Sequence, residues 1–581
     1  MKTNLNYFFS SIIVGTLKQL GLKHVCISPG SRNTPITLAF AANDFIKKHL
    51  IIDERASAFF ALGIAKITRE PVAVVCTSGT AVAELYPAII EAYNSQIPLI
   101  VLTADRPSRL LNTGSNQTIN QIGIFKSNCD FFYNLKIDEP SESRFLETIF
   151  ELGIAWSNSL FPYPGPVHIN LPFEKPLEPD TFNVEIDDDT VLRLKDTVSQ
   201  QGVQNFYKDL VYGPGHEFEI SSDSNTLILL GNDNYTDLFI QDCVQLSQKY
   251  SIPVCLESPL LNPTTLKPGI IRNFGNLLQS TEFVEKLEID KIIIFGRNFT
   301  SKNIERFLDR FKNKILKISQ KGEGFGEFSE TRETVIISNE DAIKILDGLL
   351  TNPSKERNSF YNLLQSFDSR FAAQMVKQFG EDNISSELEA MASLAHLVEE
   401  FSTAPVFFSN SLPVRDYDYL KEMFRNPVLV SRGASGIDGI LATAGGISTG
   451  SGSPSILVVG DIAFHYDSNS LQFIKKYSIP LLIILINNGG GSIFEYLPVY
   501  KESEEFSTYF KTETGLNFGN LVRAYGIDYR LISTVSEFRA GVDNFYKTPS
   551  PMVIELQFDS QISKKRKDTI KNDIISSLKV N

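Results

Sequence analysis

The chain has 581 residues, 42% of them hydrophobic and 21% charged, and a formal net charge of −13. That length exceeds what one hydrophobic core supports, so two to four domains are expected, and the composition excludes general disorder. The acidic balance argues against nucleic acid or an anionic membrane as partner, because phosphate binding needs clustered Lys and Arg and the one strong basic tract is Lys564–Lys567. An anionic ligand must therefore find its cations locally. Five scattered cysteines (Cys26, Cys76, Cys129, Cys243, Cys255) lack CxxC spacing, which points to reduced thiols in a cytoplasmic chain and away from zinc. The first residues show no basic-then-apolar leader, and apolar runs such as Pro480–Ile486 are too short to span a bilayer.

In chain order, Asn4–Leu20 has helical periodicity and precedes a short strand, His24–Ser28. A strand at Leu50–Asp53, a helix at Ala56–Thr68, a strand at Val72–Thr77, a helix at Gly79–Ser95 and a strand at Leu99–Ala104 follow. Short apolar strands separated by amphipathic helices predict a parallel, doubly wound sheet, in which ligands bind outside the carboxyl ends of the strands. Polar groups collect at those ends: Ser28-Pro29-Gly30-Ser31-Arg32, Asp53-Glu54-Arg55, Thr77-Ser78-Gly79-Thr80 and Asp105-Arg106-Pro107. A strand at Val167–Asn170 closes this unit, and the polar stretch Glu178–Ser222 is expected to be a linker with short helices.

A second α/β region has strands at Thr226–Leu230, Ile252–Leu256, Lys291–Phe295 and Lys314–Ile318. A charged helical stretch, Asn352–Val398, leads to a third, with strands at Val406–Ser409, Val428–Ser431, Ser455–Val459, Pro480–Asn487 and Met552–Gln557. The expected fold is α/β, with three doubly wound parallel-sheet domains over residues 1–180, 181–350 and 351–581, the last opening with a helical linker to about 398.

The strongest local signal lies in the third region. Ser455–Val459 ends in Gly460-Asp461, and Leu481–Ile486 ends in Asn487-Asn488-Gly489-Gly490-Gly491. Asp461 and Asn488 are 27 residues apart, one strand–helix–strand unit, so a carboxylate and an amide meet at the ends of neighbouring strands. Each piece alone is more often a simple turn. Paired at this spacing, they offer hard oxygen donors for Mg²⁺ held against a diphosphate.

Gly-Asp followed one such unit later by Asn-Asn resembles the diphosphate signature of thiamine-diphosphate enzymes, although the glycine that usually follows Gly-Asp is Ile462 here. Further segments narrow the resemblance: Ser28–Arg32, Asp53–Arg55, Cys76–Ala81, Thr103–Pro107, Asn116-Gln117, Pro164–Pro172, Ser431–Gly439 and Asn487–Phe494. Together they look like the family of 2-succinyl-5-enolpyruvyl-6-hydroxy-3-cyclohexene-1-carboxylate synthases of menaquinone biosynthesis (the MenD family). The likeness covers the first and third regions nearly end to end and is weaker in the middle.

The resemblance implies that the first domain binds the aminopyrimidine ring and the third the diphosphate of thiamine diphosphate. In the superfamily these come from different subunits, which implies a homo-oligomer, dimer or tetramer, with active sites at the dimer interface. Glu54 matches the glutamate that exchanges a proton with pyrimidine N1′, so it should be buried with a raised pKa. Read alone, Asp53-Glu54-Arg55 is equally an acidic helix start. Thr77, Gly79 and Gly460 fall on the cofactor side. Ile437 falls where a bulky residue supports the bent thiamine, or is an ordinary core isoleucine. Asp461 and Asn488 by side chain and Gly490 by carbonyl would hold Mg²⁺ or Mn²⁺, and Ile493, Phe494 and Leu497 would wall the pocket.

The implied substrates are 2-oxoglutarate and isochorismate, each with two carboxylates, which arginine's fork suits. Ser31, Arg32, Arg106, Gln117, Lys302, Ser411, Arg415 and Arg432 match substrate-contacting positions of the family, and Gln117 also counts among its catalytic residues. Ser411 and Arg415 are four apart and would share one helix face. The family pattern near Lys302 is Lys-Arg, and the next residue here is Asn303. A solvated or structural salt bridge is the plain alternative for any of these arginines. His168 is expected to be structural, and His465 either faces out from a helix or lies near the diphosphate.

The implied activity is that of a transferase: decarboxylation of 2-oxoglutarate and conjugate addition of the resulting succinyl carbanion equivalent to isochorismate. Two other readings stay open. One is a thiamine-diphosphate decarboxylase or acetohydroxyacid synthase acting on monoacids. The other is a catalytically silent binding or regulatory protein on the same fold.

Overall fold

Three six-stranded sheets, every strand pair in them parallel, organise the chain in this computed structural model. The structure describes all residues except 138, 200–223, 234, 257–268, 298, 320–332, 351–352, 380–383 and 579–581. The first sheet comprises β1 (His24–Ile27), β2 (Lys47–Leu50), β3 (Val72–Cys76), β4 (Leu99–Asp105), β5 (Phe131–Asn134) and β6 (Pro166–Pro172), in the order β2-β1-β3-β4-β6-β5. The middle sheet comprises β7 (Thr226–Leu230), β8 (Val254–Leu256), β9 (Ile270–Ile271), β10 (Lys291–Phe295), β11 (Ile315–Ser319) and β12 (Glu333–Ile336), ordered β9-β8-β7-β10-β11-β12. The third comprises β13 (Val406–Phe408), β14 (Val428–Val430), β15 (Ser455–Gly460), β16 (Leu481–Asn487), β17 (Asp528–Ile532) and β18 (Met552–Gln557), ordered β14-β13-β15-β16-β18-β17.

Numbered within each sheet, the first and third share one winding, 2-1-3-4-6-5, whereas the middle sheet runs 3-2-1-4-5-6. All three are doubly wound, so each has a point where the chain leaves adjacent strands in opposite directions and opens a crevice at their carboxyl ends. In the first sheet that point lies between β1 and β3, in the third between β13 and β15. The central strands are apolar because helices cover both faces: Leu481 to Ile486 are all buried, each fully buried side chain being worth about 1.5–3 kcal/mol.

The chain divides into two units. One comprises Met1–Tyr212, Ser431–Ser453 and Tyr466–Ile479, and the other Gly213–Val430, Pro454–His465 and Pro480–Asn581. In the first unit, the helices α1 (Leu5–Leu20), α2 (Glu54–Thr68) and α3 (Tyr86–Ser95) flank the first sheet. Also in that unit, the helix Ile440–Ser451 lies against α2 at backbone contact. A Cβ on Gly63 would stand 2.1 Å from the Thr443 carbonyl oxygen, and one on Gly446 would stand 2.1 Å from that of Phe60. Glycine at both positions is therefore what lets these helices meet. In the second unit one apolar cluster joins residues of the middle and third sheets, from Leu227 to Ile484 and Leu556.

Several sequence expectations shift. The strand expected at Leu50–Asp53 lies earlier, at Lys47–Leu50, because Asp53 is instead the cap of α2, its Oδ1 accepting from the Ala56 N–H at 3.0 Å. The helix expected over Gly79–Ser95 is two, Thr80–Glu84 and Tyr86–Ser95, with Pro87 in the first turn of the second, where its missing N–H costs least. The expected linker contains the helix Asp188–Ser199, and its residues 200–222 lie outside the described ones. The edge strands β5, β9, β12 and β17 are not evident from the sequence: they are short or, as in β17, half polar and partly exposed. Among the described residues, no helix is long and apolar enough to cross a membrane.

Candidate active site

At the first sheet's crevice, the loops after β1 and β3 bring Arg32 and Thr77–Gly79 to one end of the sheet, and Arg106 follows β4 beside them. Arg32 is buried; its Nη1 donates to the Phe173 carbonyl at 2.8 Å, while its buried Nε has no partner. Burial, and then the charge of Arg106, push the Arg32 guanidinium below its usual range. Arg106 donates to the Ser78 hydroxyl, and its backbone N–H donates to Asp105 Oδ1 at 2.7 Å. Asp105 and Glu174 partly offset the repulsion between the two guanidiniums, and the unused buried donor of Arg32 could serve a carboxylate. Gln117 is exposed, with φ +55°, and is tied to the same loop: its Nε2 donates to the Ser78 carbonyl at 2.9 Å. Gly79 carries φ +86° and donates to Gln121 Oε1 at 3.0 Å. Ser31 is exposed at the rim.

Glu54 is the first residue of α2 and is half-buried in this single chain. Burial lifts its carboxyl above the usual range; its own backbone N–H opposes the shift, and Asp53 and Glu84 add to it. The neighbours are otherwise engaged: Asp53 caps the helix, and Arg55 pairs with Asp467 at 3.2 Å. The loop bearing Arg432 and Ile437 is held by Glu91 of α3. Its Oε1 accepts from Gly433 N at 3.1 Å and its Oε2 from Ala434 N at 2.6 Å. Ile437 is half-buried on this loop, so it is not a core isoleucine.

The third sheet's crevice carries the second constellation. Asp461 is buried; its Oδ1 accepts from Ile462 N at 2.8 Å and its Oδ2 from Gly490 N at 2.7 Å. The spacing argument thus brings the carboxylate onto the glycine loop, across the neighbouring strands β15 and β16. Burial raises the Asp461 carboxyl to about 6, against the pull of the N–H groups of Gly490, Ile462 and Gly489. Asn488 is buried and donates from Nδ2 to Glu387 Oε1 at 2.7 Å. Gly490 has φ +114°, and a Cβ there would stand 2.1 Å from the Lys511 carbonyl oxygen. The Gly490 carbonyl accepts from Ser492 N at 2.9 Å and keeps a second lone pair. Gly460, at the end of β15, faces open space where a side chain would be.

Ile493 and Phe494 are half-buried in the short 3₁₀ helix Ser492–Tyr496, and Leu497 just after it is exposed. Ser411 and Arg415 do meet, but Ser411 is the cap of the helix Leu412–Leu420 rather than part of it. It has φ +75°, and Arg415 Nη1 reaches back to its carbonyl at 2.6 Å. A non-glycine residue in that conformation is strained, as binding-site residues often are. Lys302 stands exposed at the start of the helix Lys302–Arg310, 2.6 Å from Glu305 Oε2, and Asn303 turns inward to the Gly275 carbonyl at 3.1 Å. His465 is exposed, and His168 is buried in β6.

Among the described residues, no three His, Cys, Asp or Glu side chains gather around a common metal position. A carboxylate, an amide oxygen and a carbonyl are a different donor set, with only one such side chain. These hard oxygen donors on a glycine loop suit Mg²⁺ or Mn²⁺ sharing its coordination with a diphosphate.

Comparison with known proteins identifies the two regions that carry these constellations. Residues 9–124 match the family described as thiamine pyrophosphate enzyme, N-terminal TPP binding domain, and residues 419–556 the corresponding C-terminal TPP binding domain. Curated relatives align along nearly the whole chain. The 2-succinyl-5-enolpyruvyl-6-hydroxy-3-cyclohexene-1-carboxylate synthase of Crocosphaera subtropica is 33% identical over 96% of this chain and 95% of its own length. The synthase of the same name from Bacillus pumilus is 32% identical over 97% and 96%, and that of Gloeothece citriformis 35% over 91% of each. The chain belongs to the MenD family. It is therefore an α/β thiamine-diphosphate-dependent transferase, as the motifs after β1, β3, β15 and β16 suggest.

The sequence reading missed the supporting residues of this MenD-family site. Glu91, Glu387, Asp416 and Lys567 are buried charged groups inside helices, and no motif marks them. One signal was available: Ser560, Ser563 and Lys567 follow a three- and four-residue spacing, so they share one helix face, and that face is buried. The basic tract Lys564–Lys567 is split by the same periodicity: Lys567 is buried and Lys564 Nζ donates to the Glu495 carbonyl at 2.5 Å, while Lys565 and Arg566 are exposed.

Proposed function

We propose that this chain decarboxylates 2-oxoglutarate and adds the resulting four-carbon succinyl carbanion equivalent to the ring double bond of isochorismate, giving 2-succinyl-5-enolpyruvyl-6-hydroxy-3-cyclohexene-1-carboxylate and CO₂. The observation that carries the substrate class is the pair Arg32 and Arg106, two guanidiniums close enough for one to depress the other, with a buried donor left unused. A monoacid needs one such fork; two dicarboxylates need several. Arg415 and Arg432 supply further cations, with Ser31, Gln117, Ser411 and Lys302 as polar contacts.

Glu54 holds and returns a proton at pyrimidine N1′, a task that its raised pKa suits. When bound, thiamine diphosphate supplies the electron sink for decarboxylation. Asp461, Asn488 and the Gly490 carbonyl would hold the divalent metal, which would supply positive charge for the diphosphate. Thr77, Gly79 and Gly460 border the cofactor, Ile437 supports the thiamine, and Ile493, Phe494 and Leu497 wall the pocket against water. The first-domain set (residues 1–180) and the third-domain set (351–581) complete one site across the interface of a cytoplasmic homo-oligomer.

The test is an assay on purified protein with thiamine diphosphate and Mg²⁺, following isochorismate and CO₂. Isochorismate loss that requires 2-oxoglutarate and cofactor is the expected result. Decarboxylation of pyruvate without isochorismate consumption would overturn the substrate reading while leaving the cofactor in place.

A further inference from the structure

Asn488 is buried against a second polar layer within the same unit. Its amide nitrogen donates to Glu387 Oε1 at 2.7 Å, and Glu387 is the first residue of the helix Glu387–Val398. The backbone N–H of Glu387 donates to the Ser563 hydroxyl at 3.1 Å, on the C-terminal helix Ser560–Ser577. One turn on, that helix brings Lys567 into an ion pair with Asp416. Glu387, Asp416, Ser563 and Lys567 are all nearly inaccessible to solvent. Burial raises the Glu387 carboxyl, and the Lys567 ammonium is the strongest influence pulling it back.

We infer that Glu387 is a positioning residue for the metal site: it fixes the orientation of the Asn488 amide so that Oδ1, not Nδ2, is presented to the cation. This rests on the metal-binding reading of Asp461, Asn488 and Gly490. An asparagine amide has one acceptor end and one donor end, and only the acceptor end can ligate a metal. Glu387 Oε1 accepts from the –NH₂ end of Asn488 at 2.7 Å, which turns the amide oxygen away from it and leaves Oδ1 available. Partners that orient a ligand in this way commonly change metal affinity by about 10–100-fold when removed. The C-terminal helix is part of the arrangement, because its Ser563 accepts from the Glu387 backbone N–H and its Lys567 pairs with Asp416 in the same buried layer.

The experiment is Mn²⁺ titration of the apoprotein with saturating thiamine diphosphate, read by electron paramagnetic resonance, with the thermal midpoint of each variant as the folding control. Glu387→Gln, which lets either amide end face it, is expected to weaken Mn²⁺ binding by about 10–100-fold. The exchange Glu387→Gln with Asn488→Asp restores a donor–acceptor pair across the contact and is expected to recover most of that affinity. Asn488→Asp alone is the control for the added ligand charge: if it binds Mn²⁺ as tightly as the double variant, the recovery owes nothing to the contact with residue 387 and the inference fails. Unchanged Mn²⁺ affinity in folded Glu387→Gln, or a double variant no better than the single one, would overturn the inference. Asp461→Ala separates the two readings. If it also leaves Mn²⁺ binding intact, the metal site itself is misplaced; if it abolishes binding while Glu387→Gln does not, only the positioning role fails.

Discussion

The two constellations differ in charge balance: two arginines share the buried Asp105 in the first, with Glu174 also acting on Arg32, whereas no cation acts on Asp461 among the main influences on its carboxyl in the second. After β1 and β4, the guanidinium of Arg32 is depressed by burial and by the charge of Arg106, against the pull of Glu174 and Asp105. After β15, burial raises the Asp461 carboxyl to about 6. Burial is costly to the Asp461 carboxylate, which has only backbone N–H groups to offset it, and less so to the arginine pair, which Asp105 partly balances. In the proposed function the first would take a substrate carboxylate on its excess positive charge and the second a metal ion on Asp461. Their common sheet winding, 2-1-3-4-6-5, puts both at the same kind of crevice, while the middle sheet, wound 3-2-1-4-5-6, shows no comparable pair of mismatched charges among the predicted site residues.

The comparison can be broken by removing one charge at a time. The largest effect is expected from Glu54→Gln, which removes the proton exchanger: turnover should fall by about 10²–10⁴-fold in a steady-state assay, with the fold intact by circular dichroism. Next is Arg32→Ala. Losing a charge-assisted hydrogen bond worth about 1.5–3 kcal/mol should lower kcat/KM for 2-oxoglutarate by roughly 10–150-fold. Arg32→Lys should recover little, since a point charge lacks the fork. Neither change should alter Mn²⁺ affinity, and an equal loss of metal binding would erase the distinction between the two constellations.

Smaller effects belong to the scaffold. Gly446→Ala places a methyl group against the Phe60 carbonyl and should cost about 1–3 kcal/mol of stability, seen in the denaturation midpoint. His168 is buried in β6 with its Nε2 2.7 Å from Thr103 Oγ1, and burial pushes its pKa down to about 3 from 6.5. The unfolded chain therefore binds the extra proton first. Stability should be insensitive to this residue above pH 6.5 and fall as pH drops from there towards 3, by up to about 1.4 kcal/mol per pH unit. His168→Phe should flatten that part of the profile.

What the sequence discloses is what lies close together along it or at a strand end. Asp461 and Asn488 are one strand–helix–strand unit apart, and Arg32, Thr77 and Arg106 follow strands whose apolar runs are plain. Glu387, by contrast, is 101 residues from Asn488, and Glu91 more than 340 from the loop it holds. Nothing local distinguishes either from a solvated helix carboxylate, because only tertiary packing buries them. The same holds for Asp53, which reads as the end of a strand and serves as a helix cap. Strands β9 and β12 elude the periodicity argument because they are only two and four residues long.

The central proposal is that Glu54 and the Asp461 loop serve a single cofactor. The direct measurement is calorimetric titration of thiamine diphosphate, with Mg²⁺ present, into the wild-type protein, Glu54→Ala and Asp461→Ala. The account predicts one cofactor per chain in the wild type, binding weakened about tenfold or more by Glu54→Ala, where a hydrogen bond to the pyrimidine is lost, and Mg²⁺-dependent binding lost in Asp461→Ala. Full-strength binding in either folded variant would contradict it.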